Sequence, residues 1–124
     1  METALIVDDS RAIRRILGGT VRKLGFDVCE AGDGKEALEV LAQQPGPPEL
    51  ILVDWNMPEM NGLELVTAIR ERPVYNDSKV MMVTTETASG QMIKALEAGA
   101  DEYIMKPFTE DAIRDKLRLL GMLD

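Results

Sequence analysis

Short apolar runs alternate five times along the chain with longer stretches in which apolar residues recur three and four positions apart. The runs are ALIV (4–7), FDVCEA (26–31), LILV (50–53), KVMMV (79–83) and EYIM (102–105). Their length and their Val and Ile content predict buried strands. Between and after them, Ile13, Ile16, Leu17, Val21 and Leu24 form one helical stripe, and Ala37, Leu38 and Leu41 a second. Leu65, Val66 and Ile69 form the third, Met92, Ile93 and Leu96 the fourth, and Ile113, Leu117 and Leu120 the fifth. Each predicts an amphipathic helix with that stripe facing a core. The punctuation agrees: Ser10 can cap the first helix, Asp33 with Glu36 and Asn61 with Glu64 have capping spacing, and Gly25 and Gly99 follow helical segments. Gln43–Pro48 is a short loop, too short for an interdomain linker, so residues 1–124 are expected to form one domain.

Five βα units imply an α/β fold, a doubly wound five-stranded parallel sheet of the flavodoxin-like kind with helices on both faces. Ligands of such folds bind beyond the carboxyl ends of the strands. The residues at those ends are therefore the chemical candidates. They are Asp8 and Asp9 after the first run, Asp54 after the third, Thr84 and Thr85 with Glu86 after the fourth, and Lys106 with Pro107 after the fifth. Carboxylates held close repel unless one is protonated or a cation sits among them. Oxygen donors without His or Cys select Mg²⁺, Mn²⁺ or Ca²⁺ rather than zinc. A lysine and a threonine hydroxyl beside them could serve phosphoryl oxygens, and a carboxylate in that pocket can act as a nucleophile and form an acyl phosphate.

Composition narrows the field further. With 124 residues, 45% hydrophobic and 29% charged, the chain fits one soluble globular domain. A net charge of −8 disfavours nucleic acid and anionic lipid as partners. No apolar run approaches the roughly 20 residues of a membrane span, and no signal peptide is expected at the start. Cys29 is the only cysteine, which excludes an intrachain disulfide, fits a cytoplasmic location, and reads as a small buried residue. Histidine is absent, which removes most zinc sites and Ser-His or Cys-His catalysis.

The stretches LIVDDSRAIRRIL, LVDWNMPEMNGLEL, MMVTTE and AGADEYIMKPFT together resemble the receiver domains of two-component response regulators. Within that family the chain is most similar to the stand-alone chemotaxis regulators of the CheY type. The resemblance spans the whole chain and implies a phosphorylated signalling switch, not an enzyme acting on a separate substrate. It implies that Asp54 accepts phosphate from a histidine kinase, and that Asp9 ligates Mg²⁺ (or Mn²⁺) directly while Asp8 acts largely through water. It further implies that Asp54 and the backbone carbonyl of Asn56 complete the metal's protein ligands. Thr84 matches the switch hydroxyl, Tyr103 the switch aromatic, and Lys106 the lysine that pairs with the phosphoryl group, ahead of a cis bond to Pro107. Asn56 and Glu86 match positions that tune loss of phosphate. Met92, Tyr103 and Lys116 fall on the implied partner face, and Met57-Pro58 and Asn61-Gly62 shape the loop after Asp54.

A monomer that meets an output protein such as a flagellar motor switch protein is the expected arrangement. Because the sequence ends at Asp124, just past the fifth helix, no fused output domain is expected. Two departures touch the partner: Ala88-Ser89-Gly90 stands where chemotaxis members often carry lysines, and Thr85 stands where the family usually has a smaller residue. A single-domain receiver in a phosphorelay outside chemotaxis is the alternative. An aspartyl-phosphate phosphatase is disfavoured because Asn56 occupies the place of its second acid. A flavodoxin-like electron carrier is disfavoured by the acids after the first strand and an aromatic content of 4%.

Overall fold

The structure is a computed structural model and describes residues 2–57, 60–85 and 89–123, with the side chains of 89–91 left out. Among the described residues, five strands alternate with five helices: β1 (Thr3–Val7), α1 (Arg11–Lys23), β2 (Asp27–Ala31), α2 (Gly34–Gln43), β3 (Leu50–Asp54), α3 (Gly62–Arg70), β4 (Lys79–Thr84), α4 (Ser89–Ala98), β5 (Glu102–Met105) and α5 (Glu110–Leu119). A 3₁₀ turn at Pro73–Tyr75 joins α3 to β4. The strands form one parallel sheet in the order β2-β1-β3-β4-β5. The doubly wound sheet expected from the alternating pattern is therefore what the chain forms.

The apolar runs are continuous because both faces of the sheet are covered. Along each strand, alternate residues enter different cores. Leu5 and Val7, Ile51 and Val53, and Val80 and Met82 join Ala37 and Leu41 of α2, Leu65, Val66 and Ile69 of α3, and Ala95 of α4. Ala4 and Ile6, Leu50 and Leu52, and Met81 and Val83 join Leu17 and Val21 of α1 and Ile113 and Leu117 of α5. Full burial of each large aliphatic side chain contributes roughly 1.5–3 kcal/mol, so the two cores hold the sheet in one register. The edge strand β2 is different: Asp27 and Glu30 are exposed there, which blunts an edge that would otherwise template pairing.

Several local signals read in the sequence are realised. Ser10 Oγ accepts from Ile13 N at 3.2 Å, and Asn61 and Glu64 form a reciprocal capping box. The Asp33 side chain accepts from Glu36 N, but the Glu36 carboxylate turns to Gly32 N instead of closing the box. Gly25 and Gly99 adopt φ of 103° and 117°, the left-handed region that ends a helix.

Three stripe residues depart from expectation. Ile16, Ile93 and Leu96 are 55%, 54% and 44% exposed. On α4 the buried contact is Ala95, whose small side chain lets the helix lie against the sheet and leaves its larger neighbours outside. On α1 the core takes Leu17, Gly18 and Val21, and Ile16 sits off that line. Cys29 is half-buried, not fully so; burial raises its thiol pKa, which keeps it in the unreactive form. None of the helices built from described residues is long and apolar enough to cross a membrane.

Candidate functional site

Sheet register brings the strand-end residues level. Val7 pairs with Val53 and Asp54 with Val83, so Asp8, one residue past β1, stands beside Asp54. The ladder continues past the last strand: Asp8 N donates to Ala31 O at 3.2 Å, and Lys106 N to Thr84 O at 2.8 Å. Asp8, Asp54 and Lys106 follow the strand positions that face α1 and α5, after Ile6, Leu52 and Ile104. Thr84 follows Val80 and Met82 and so has the parity of the opposite face, toward α2, α3 and α4. Tyr103 packs against that same core. The alternation of the strands thus separates a charged pocket from a threonine–tyrosine pair at one edge of the sheet.

Inside the pocket Asp8 is 1% exposed and Asp54 6%. Lys106 Nζ reaches Asp8 Oδ2 at 3.1 Å and Asp54 Oδ1 at 3.4 Å. The other Asp8 oxygen, Oδ1, accepts from Ser10 N at 2.8 Å. Asp9 is exposed, yet oxygens of Asp8, Asp9 and Asp54 all lie within 4.8 Å of one another. Three carboxylates therefore face one ammonium. Burial, and after it the neighbouring Asp8, raises the pKa of Asp54; Lys106 and the Asn56 backbone N–H lower it in part. Asn56 itself is exposed, next to half-buried Trp55. A hard divalent cation fits this donor set, because it would neutralise the excess acid with oxygen ligands alone.

The loop that leaves Asp54 has a steric requirement. Gly62 N donates to Trp55 O at 2.9 Å. A Cβ on Gly62 would run into Asp54 O and lie 2.9 Å from Trp55 Cα and 2.8 Å from Met82 Cε. Asn61 then caps α3. The Asn-Gly step therefore presses the loop onto the backbone of the strand end. The Lys106–Pro107 peptide is cis.

On the neighbouring edge, Lys116 Nζ lies 4.9 Å from the centre of the Tyr103 ring and donates to Glu102 Oε1 at 3.2 Å. Glu102 Oε1 also accepts from Tyr103 N at 3.0 Å. Tyr103 and Lys116 are thus brought together, while Met92 is half-buried on α4. Thr84 is buried, and Thr85 after it is exposed. Glu86 lies outside the described residues, as do Pro58 and Ala88.

One positioning residue has no motif to announce it. Arg14 Nη1 donates to the Asp8 main-chain carbonyl at 2.6 Å and its Nε to Glu30 Oε1 at 3.0 Å. It ties α1 and β2 to the turn that carries the acidic pair. The only trace in the sequence is its place one helical turn after Ser10.

A parallel five-stranded sheet with acids and a lysine gathered at its carboxyl edge defines a receiver, and residues 4–118 match the family of the response regulator receiver domain. The chain belongs to that family. Its relatives make the assignment more specific. A chemotaxis protein CheY homolog of Campylobacter jejuni is 46% identical over 91% of this chain and 87% of its own length. CheY1 of Helicobacter pylori is 43% identical over 94% of both. Among solved structures, chemotaxis protein CheY4 of Vibrio cholerae superposes with a TM-score of 0.88 at 34% identity, over 96% of this chain and 98% of its own. The protein is a receiver domain of a CheY-like response regulator in two-component signalling. Domains of this class act as switches: they take phosphate from a histidine kinase, bind Mg²⁺ at an acidic pocket and engage downstream targets.

Proposed function

We propose that Asp54 accepts a phosphoryl group from a histidine kinase and that its modification reshapes the face formed by α4, β5 and α5. The convergence of Asp8, Asp54 and Lys106 supports this reading most directly. Asp54 is the buried carboxylate at the end of the central strand, with an ammonium already beside it. Its oxygen attacks phosphorus, the bond from phosphorus to the kinase imidazole breaks, and an acyl phosphate forms. Asp8, Asp9, Asp54 and the Asn56 carbonyl would hold Mg²⁺, or Mn²⁺ in its place. The bound metal supplies charge neutralisation for the phosphoryl oxygens. Lys106 then turns from Asp54 to a phosphoryl oxygen. Hydrolysis returns the carboxylate when water attacks phosphorus and the acyl oxygen leaves, and Asn56 and Glu86 tune that step.

The switch follows from the new charge. The Thr84 hydroxyl moves to the phosphoryl group, and Tyr103 turns into the space left under α4. A charge-assisted hydrogen bond contributes about 1.5–3 kcal/mol, whereas reversing a 1:99 population requires about 5.5 kcal/mol. Thr84 therefore acts together with Lys106 and a bound partner. Met92, Tyr103 and Lys116 mark the partner face. The names of the relatives support chemotaxis. A flagellar motor switch protein as the output partner and a cytoplasmic monomer as the acting form complete the proposal.

Incubation with Mg²⁺ and acetyl phosphate, followed by intact mass, tests the assignment. Wild type is expected to gain one phosphoryl group and Asp54→Asn none. Undiminished labelling of Asp54→Asn would overturn it.

A further inference from the structure

Away from the strand ends, the charge of the chain is most uneven on α1. That helix carries Arg11, Arg14, Arg15, Arg22 and Lys23 and no acid. With those five cations set aside, nine basic residues remain against 22 acidic ones, a balance of −13. On α5, by contrast, Arg114 and Arg118 pair with acids of their own helix. Arg11, Arg15 and Arg22 are exposed, and their guanidinium groups make no ion pair or hydrogen bond among the described residues.

These side chains surround a cleft. A cavity of about 300 Å³ is lined by Arg11, Arg14, Arg15, Arg22 and Glu30. Residues 11, 15, 18 and 22 follow one helical stripe, and the stretch between Arg15 and Arg22 carries Gly18 and Gly19. Glycine is the poorest helix former after proline, yet two stand together here. Gly18 packs into the core, and Gly19 leaves the helix surface beside it bare. Arg22 Nη1 lies 3.5 Å from where a Gly18 Cβ would be, and a Cβ on Gly19 would meet nothing within 4 Å. The one acid of the cleft, Glu30, is already held by Arg14 at 3.0 Å. Three guanidinium groups remain uncompensated.

We infer that this cleft binds a small oligophosphate. Planar guanidinium forks match phosphate oxygens two at a time. The size of the cavity is at the lower end of the roughly 300–1,000 Å³ of small-molecule sites. The acidic remainder of the molecule repels an extended polyanion, so a compact ligand with several negative charges fits where a nucleic acid does not. Arg14 joins the cleft to the candidate phosphorylation pocket through the Asp8 carbonyl.

Calorimetric titration of the full chain with inorganic tripolyphosphate in metal-free buffer tests this. Saturable one-to-one binding is expected. Arg15→Gln and Arg22→Gln should each weaken it about tenfold, the loss of one charge-assisted contact. Arg118→Gln should leave it unchanged. A parallel titration with ATP separates the sources: tighter binding than tripolyphosphate assigns the site to a nucleotide, equal binding to the phosphate chain alone. Absence of saturation at millimolar tripolyphosphate would overturn the inference. So would equal weakening by Arg118→Gln, or tighter binding of a glutamate-rich peptide.

Discussion

Lys106 is held more closely by Asp8 than by Asp54: Nζ stands 3.1 Å from Asp8 Oδ2 and 3.4 Å from Asp54 Oδ1. The lysine is the pocket's own partial counter-ion, and it competes with any cation for the same oxygens. Lys106→Ala is therefore expected to tighten Mg²⁺ binding several-fold, whereas Asp9→Asn weakens it about tenfold or more, since a hard dication depends on ligand charge. Trp55, the only tryptophan, is half-buried beside the pocket, so its emission reports the titration. Coincident curves for wild type and both variants would reject a metal site here.

Asp54 has a folded-state pKa raised above its ordinary value, chiefly by burial and then by Asp8. A raised carboxyl favours the fold most when protonated, and that contribution is lost as pH rises through the folded-state value. Asp54→Asn removes the charge and should stabilise the protein at roughly pH 7. The gain should fade toward about pH 3, below the ordinary carboxylate range. Urea unfolding at the two pH values checks the sign. A gain that persists at the lower pH would mean that the benefit has another origin.

Gly62→Ala opposes two effects. Alanine is the better helix former by about 1 kcal/mol, but its Cβ would meet the backbone of Asp54 and Trp55, which cannot yield as a flexible side chain would. Overpacking of this kind costs about 1–3 kcal/mol, and net destabilisation is expected. Gly19→Ala is the contrast: its Cβ meets nothing within 4 Å, so it should stabilise by about 0.5–1 kcal/mol. Thermal and denaturant midpoints of the two variants should move in opposite directions.

Arg70 closes the opposite end of the sheet. Its guanidinium donates to the carbonyls of Gly99, Tyr75 and Ser78 at 2.9, 2.7 and 2.9 Å, and to Asp101 Oδ2 at 2.9 Å. Asp101 Oδ2 in turn accepts from Val80 N. Arg70→Ala takes away donors from several carbonyls at once and should cost about 2–4 kcal/mol. Arg70→Lys should recover little, because an ammonium cannot reproduce the planar fork. Phosphoryl uptake at Asp54 should survive in both variants, since the clamp lies far along the sheet from that pocket.

What could be read from the chain itself was local. Largely apolar runs of four to six residues, the caps at Ser10 and Asn61 and the terminal glycines Gly25 and Gly99 each act within a few positions, so their pattern specifies elements without a partner. The five-fold alternation then leaves one economical packing, and it brings Asp8, Asp54, Thr84 and Lys106 to one edge. Register and helix orientation belong to the tertiary structure. The alternation of side chains across the sheet put Thr84 and Tyr103 on the α4 side and the acids with Lys106 on the α1 and α5 side. Close approach through Ala95 left Ile93 and Leu96 in solvent, although their spacing suits a core. Lys106 met Asp8 across 98 positions, and Arg14 found the Asp8 carbonyl and Glu30 only once β1 and β2 had paired. Helical and strand periods are properties of neighbouring residues; which faces meet, and at what register, is settled by burying both sides of the sheet at once.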